Sequence, residues 1–77
     1  MSVHVRFFAS LRELAQCTDA NVPAAAVRTV GDVWHQAVGE RAPPGKLLMA
    51  INQQYAGWDD PVADGDEVGF FPPVTGG

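Results

Sequence analysis

Residues 29–40 read TVGDVWHQAVGE, and their spacing decides what kind of domain this chain makes. Val30, Val33, Trp34, Ala37 and Val38 fall at i, i+3, i+4, i+7 and i+8, so a helix gathers them into one apolar stripe. Thr29 stands in the N-cap place and Gly39 marks the stop, which predicts a main helix over 30–39. A striped helix of this length is stable only against a partner surface, and the rest of the chain has to supply one.

The flanking segments read as strands. In VHVRFFA (3–9), Val3, Val5 and Phe7 alternate with His4, Arg6 and Phe8, so one face is buried and His4, Arg6 and Phe8 point outward. SLRELAQC (10–17) places Leu11, Leu14 and Ala15 at helical spacing, with Ser10 as N-cap and Glu13 as its capping-box partner. ANVPAAAV (20–27) is expected as a second strand, and Pro23, which has no N–H for a ladder, puts it at a sheet edge or makes it irregular. Beyond the main helix, RAPPG is a loop and KLLMAIN a largely buried strand stopped at the turn residues Asn52 and Gln53. A short strand follows over Gln54–Ala56, then a turn at Asp64-Gly65-Asp66. In EVGFF (67–71), Val68 and Phe70 share one face, and Phe71 falls on the other with Phe8. Several short strands around one main helix describe an α+β domain with a mixed sheet packed on that helix.

At 77 residues the chain makes one domain and buries only about 60–65% of the surface its unfolded form exposes, which leaves little room for an enclosed active site. With 47% hydrophobic and 18% charged residues, its composition is that of a folded globular protein. Lys and Arg number five, scattered, in a chain of net charge −4, so no basic stripe meets nucleic-acid phosphates or a membrane surface. No apolar run approaches the ~20 residues that span a bilayer, and MSVHVRFF lacks the zones of a signal peptide, so the expected location is the cytoplasm. The single Cys17 excludes an internal disulfide, and LAQCTD brings no His or Lys cluster to activate it. It reads as a small apolar side chain near a helix end rather than a persulfide carrier.

No set of residues reads as a catalytic centre. His4 and His35 lie far apart on expected solvent faces, and Asp59, Asp60, Asp64, Asp66 and Glu67 fall in turns without the register of a calcium loop. Neither a metal nor a resident cofactor is expected. The ending FFPPVTGG (70–77) is different. Pro72 and Pro73 stop the strand and give the chain a stiff, extended exit. Val74, Thr75, Gly76 and Gly77 reach about 13 Å when extended at ~3.3 Å per residue, enough to enter another protein's pocket. Glycine costs the most entropy to order and buries nothing, so a final pair does not serve folding, and the plain alternative is a frayed end. Without side chains, however, Gly76 and Gly77 fit a narrow channel and leave a carboxylate open to attack. Phe8 and Phe71 on the solvent face of neighbouring strands form a candidate partner patch, with Tyr55 as a third candidate. The expected organisation is a folded domain over 1–73 and a flexible tail over 74–77.

VRFFASLRELA, TVGDV, LLMAINQ, DGDEV and FFPPVTGG together make the chain resemble the small subunits of molybdopterin synthase, a family of ubiquitin-like sulfur carriers, almost from end to end. The resemblance implies a β-grasp roll. It implies that the Gly77 carboxylate is adenylated by an ATP-using, E1-like activating enzyme and becomes a thiocarboxylate with sulfur from a donor such as a cysteine desulfurase. It implies that the tail enters the large subunit of the synthase, where the sulfur attacks a cyclic pyranopterin monophosphate and two transfers build a dithiolene. In that scheme the chain is no enzyme by itself, Gly76 threads the channel, and Phe8, Tyr55, Phe71, Pro72 and Pro73 dock. The segments NVPAAAV and GERAPPGK depart from the pattern in surface loops.

Three other roles share these features: a sulfur carrier for thiamine or cysteine synthesis, a ubiquitin-like modifier joined to lysines through Gly77, and an interaction module whose tail stays unmodified.

Overall fold

Val3, Val5 and Phe7 point to one side of strand β1 (Ser2–Phe7) and are sealed from water, as the alternation requires. The computed structural model describes residues 1–39 and 46–72. After β1 come helix α1 (Leu11–Ala15), strand β2 (Asp19–Pro23), a 3-10 turn (Ala24–Ala26), helix α2 (Val30–Val38) and strands β3 (Leu48–Ile51), β4 (Gln54–Ala56) and β5 (Glu67–Phe71). The five strands form one sheet in the order β2-β1-β5-β3-β4. β1 and β5 are parallel, with Phe7 opposite Phe70, and the other pairings are antiparallel. The sheet is therefore mixed and covers α2 on one face, the β-grasp arrangement.

The core is the meeting of that face with the helix stripe. Val30, Val33 and Trp34 of α2 are fully buried against Val3, Val5, Phe7, Val68 and Phe70. The Trp34 ring stands edge-on to Phe70, centroids 5.1 Å apart at 76°, and to Phe7 at 6.3 Å and 69°. Phe7 and Phe70 stack at 5.9 Å. Ring pairs in these geometries add to the apolar burial itself.

Thr29 begins α2 as the spacing predicts. Its backbone is extended, its hydroxyl accepts from the Asp32 N–H at 3.3 Å, and the Asp32 carboxylate accepts from the N–H groups of Thr29 at 3.3 Å and Arg28 at 3.0 Å. A capping box thus forms here and not at Ser10 and Glu13. Ser10 has helical backbone and makes no side-chain cap, because the turn has already begun behind it. Leu11 N–H donates to the Phe8 carbonyl and Arg12 N–H to that of Ala9, whose φ of 55° bends the chain sharply out of β1.

The second strand also differs from expectation. It runs over Asp19–Pro23, not 20–27, and lies at the sheet edge beside β1. Pro23 ends the ladder, and three alanines with little preference for extended backbone coil into the 3-10 turn. β3 is less covered than KLLMAIN suggested: only Met49 is buried, since Leu48 and Ala50 face the open side.

Two outcomes test this packing. Trp34→Ala removes the largest buried side chain, at a cost of roughly 3–5 kcal/mol. For a domain of this length, with about 0.05–0.15 kcal/mol of stability per residue, that is a large part of the total. A urea titration should show the cooperative transition lost or moved far toward zero denaturant; an unchanged midpoint contradicts the packing described. Backbone donation from Arg28, then Thr29, holds the Asp32 carboxyl below its ordinary value of 3.8. The folded value lies under the unfolded one, so Asp32 stabilises above pH 3.8 and loses that contribution as pH falls through the folded value. Asp32→Asn should therefore melt below the parent at pH 7, with the gap narrowing as acid protonates the carboxyl. A gap that keeps its size through acid titration refutes the assignment.

Candidate functional site

The same pleat that fills the core turns Arg6, Glu67, Gly69, Phe71, Leu48 and Ala50 to the face that no helix covers. Phe8 continues this face beyond β1, its N–H donating to the Phe70 carbonyl at 3.1 Å. Phe8 meets Phe71 edge to face, centroids 6.2 Å apart at 85°, and Tyr55 meets Phe71 at 5.9 Å and 44°. Three rings thus form one continuous patch centred on Phe71. Tyr55 is 79% exposed and Phe8 40%, both large rings left toward water.

Tyr55 reaches the patch through a hairpin. β3 and β4 are joined by the two residues Asn52 and Gln53, with φ of 51° and 70°, and the pairing sets Tyr55 opposite Ala50. Positive φ at both positions matches the twist of adjoining strands. Asn52 also pins the hairpin to β5. Its side chain donates to Asp66 Oδ1 and accepts from the Glu67 N–H, both at 3.0 Å, and its own N–H donates to the Glu67 carbonyl at 2.7 Å. The sequence placed a turn at Asn52 and Gln53, as found, but not the tie from Asn52 to β5. The preference of Asn52 for left-handed backbone beside a non-glycine was the available signal for a tight hairpin.

Between the rings the floor is low. Gly69 lies between Arg6 of β1 and Ala50 of β3, and a Cβ on it would stand 3.3 Å from Phe8 Cε2. The result is an open depression of about 320 Å³ walled by Phe8, Tyr55, Phe71 and Arg6. The Arg6 guanidinium lies over the Phe8 ring at 5.3 Å, with Nη1 3.9 Å from Glu67 Oε2. His4 Nδ1 approaches the same oxygen at 3.6 Å, and its Nε2 stands 4.0 Å from Asp19.

The remaining chemistry-bearing residues go elsewhere. His35 is on α2, across the sheet from His4, edge-on to Trp58 at 5.8 Å. Asp60 and Asp66 close turns, accepting from the N–H groups of Gly57 and Ala63 at 2.8 Å. Cys17 is half-buried against the core. Among the described residues no three His, Cys, Asp or Glu side chains gather to hold a metal ion, and no helix is long and apolar enough to cross a membrane. On the open face the ionisable side chains His4, Arg6 and Glu67 are grouped at the edge of the ring patch.

Pro72 follows Phe71 out of the sheet, half-buried. Pro73, Val74, Thr75, Gly76 and Gly77 lie outside the described residues, as do residues 40–45, where the sequence predicts a loop at RAPPG.

Residues 5–77 match the ThiS family. The chain is 46% identical to the molybdopterin synthase sulfur carrier subunit of Escherichia coli, over 97% of this chain and 99% of that one. Among solved structures, SAMP1 from Haloferax volcanii superposes with a TM-score of 0.80 at 28% identity, each chain fully covered. A chain from the complex of subunits 1 and 2 of the molybdopterin-converting factor of Helicobacter pylori superposes with a TM-score of 0.66 at 25% identity, again over the whole of both. With a match over nearly its whole length, the chain belongs to the ThiS family.

Proposed function

We propose that the protein is the sulfur-carrier subunit of a molybdopterin synthase, working in the cytoplasm. The observation that carries this reading is the near end-to-end identity of 46% with the Escherichia coli carrier subunit. The geometry is in keeping with it, since an aromatic contact face stands where β5 hands the chain to residues 73–77.

In this reading the Gly77 carboxylate is the working group. A carboxylate resists nucleophiles because it offers only a poor leaving group. An activating enzyme joins it to the α-phosphate of ATP with loss of pyrophosphate; AMP then leaves as the outer persulfide sulfur of a donor such as a cysteine desulfurase attacks the acyl carbon, and a thiol reductant cleaves the resulting acyl disulfide to the thiocarboxylate, becoming a disulfide itself. The thiocarboxylate rides on Val74, Thr75 and Gly76 into the large subunit. There its sulfur attacks the cyclic pyranopterin monophosphate, water cleaves the acyl–sulfur bond and returns the Gly77 carboxylate, and a second charged carrier repeats the transfer to complete the dithiolene. ATP belongs to the activating enzyme, and the groups that move protons belong to the large subunit. This chain supplies sulfur and a grip: Phe8, Tyr55 and Phe71, with Pro72 and Pro73 aiming the tail.

Incubation with an activating enzyme, ATP and a sulfur source should raise the intact mass by the replacement of one oxygen by sulfur, and deletion of Gly77 should abolish the gain with the fold unchanged. Absence of the gain in the parent chain counts against sulfur carriage. Isopeptide-linked conjugates assign a modifier role instead, and transfer to a thiamine or cysteine precursor assigns another pathway. Tyr55→Ala should weaken binding to the large subunit about tenfold or more, the loss of at least 1.4 kcal/mol expected of an aromatic anchor. Its melting temperature should barely move, because the ring is 79% exposed. Titration calorimetry and a thermal melt on the same sample check both halves.

A further inference from the structure

The proposed role leaves one charged group of the open face unused. Arg6 carries five N–H donors. Among the described residues none of them donates a hydrogen bond, and the group's one ionic contact is the 3.9 Å approach to Glu67. His4 Nδ1 stands closer to the same Glu67 oxygen, at 3.6 Å. The guanidinium lies over the Phe8 ring, its Cζ 5.3 Å from the centroid. A cation so placed is attracted by the ring face, and the planar guanidinium fork matches a carboxylate. Among the described residues Arg6 is also the only Lys or Arg bordering the depression, beside Glu67, in a chain whose net charge is −4.

Beside it, the Gly69 and Ala50 floor is open to the size of a side chain. At about 320 Å³ the depression is at the small end for a ligand pocket, and it opens on the sheet surface rather than enclosing its contents. Such a shape fits a protruding side chain better than a free small molecule. Arg and aromatic groups around a small floor are also the usual make-up of an interface hot spot.

We infer that Arg6 is a specificity-determining residue for docking: the partner presents an apolar side chain to the Gly69 floor, and a carboxylate next to it takes the Arg6 fork. The inference rests on the carrier reading for the partner's identity, the large subunit, but not for its chemistry. Phe8 has two parts, a wall of the socket and the platform that orients Arg6. Gly69 keeps the socket empty, and a larger residue there crowds the Phe8 ring as well as the incoming group.

The test is calorimetric titration of the intact chain with the large subunit at low and moderate salt, for the parent, Arg6→Gln, Arg6→Glu and Gly69→Val. The carboxylate pairing requires about a tenfold loss for Arg6→Gln and a larger one for Arg6→Glu, with the salt dependence of the parent's affinity flattened in Arg6→Gln. Gly69→Val should lose affinity at every salt concentration. Thermal melts and circular dichroism identify any variant that is unfolded; for Gly69, Gly69→Ala then replaces Gly69→Val. Parent binding with equal affinity and salt dependence in both Arg6 variants overturns the inference and leaves the carrier role standing. Parent chain that gains sulfur yet ignores the large subunit overturns the choice of synthase instead, and the Arg6 variants are then compared on the activating enzyme, where unchanged affinity again overturns the inference.

Discussion

β1 and β5 lie parallel at the middle of the sheet with Phe7 opposite Phe70, and a strand's pleat sends consecutive side chains to opposite faces. Everything on the open face follows from that register. A slip of one residue in β5 would carry Phe70 out and Phe71 in, dismantling the core and the patch together. Trp34 makes such a slip expensive, wedged edge-on against both Phe7 and Phe70. The interior tryptophan therefore holds in place an outer surface that it never touches.

The second support is polar. A sheet surface made of four strands from distant parts of the chain needs its strands aligned along their length as well as side by side. Asn52 supplies that alignment by bonding Asp66 and the backbone of Glu67, tying the tip of the β3–β4 hairpin to the start of β5. Tyr55 stands three residues along from that tie, which is why a ring on a three-residue edge strand keeps its place beside Phe71.

Periodicity made most of this legible. The alternation in residues 3–8 and 67–71 and the stripe of α2 assigned the right residues to each face, because one-sided burial writes itself into sequence at period 2 or 3.6. Local signals were less dependable where two signals competed. Ser10 and Glu13 have capping-box spacing, but Ala9 starts the turn first, so the motif had no extended residue to occupy. The alanines after Pro23 are apolar without favouring extended backbone, and apolarity alone misread them as strand. Tyr55 was placed from family likeness, since its neighbours depend on how β3 and β4 pair and that rests on the backbone of Asn52 and Gln53. The depression was not legible at all. It exists because Gly69 and Ala50 are adjacent across two strands, a fact of register that no single window contains.

The order of strands also bears on how the protein is made. β1 and β2 are near in sequence, as are β3 and β4, so those pairs and the helices form from local contacts. The slot between β1 and β3 is filled only by β5, which is synthesised last of all the strands. Closing it demands the longest loop in the molecule, the slow kind of contact. On the ribosome, chain growth presents the N-terminal segments first. Until β5 clears the exit tunnel there is no Phe71, no floor at Gly69 and no sealed interior. A chain that still lacks β5 therefore has neither the ring patch centred on Phe71 nor the depression beside it.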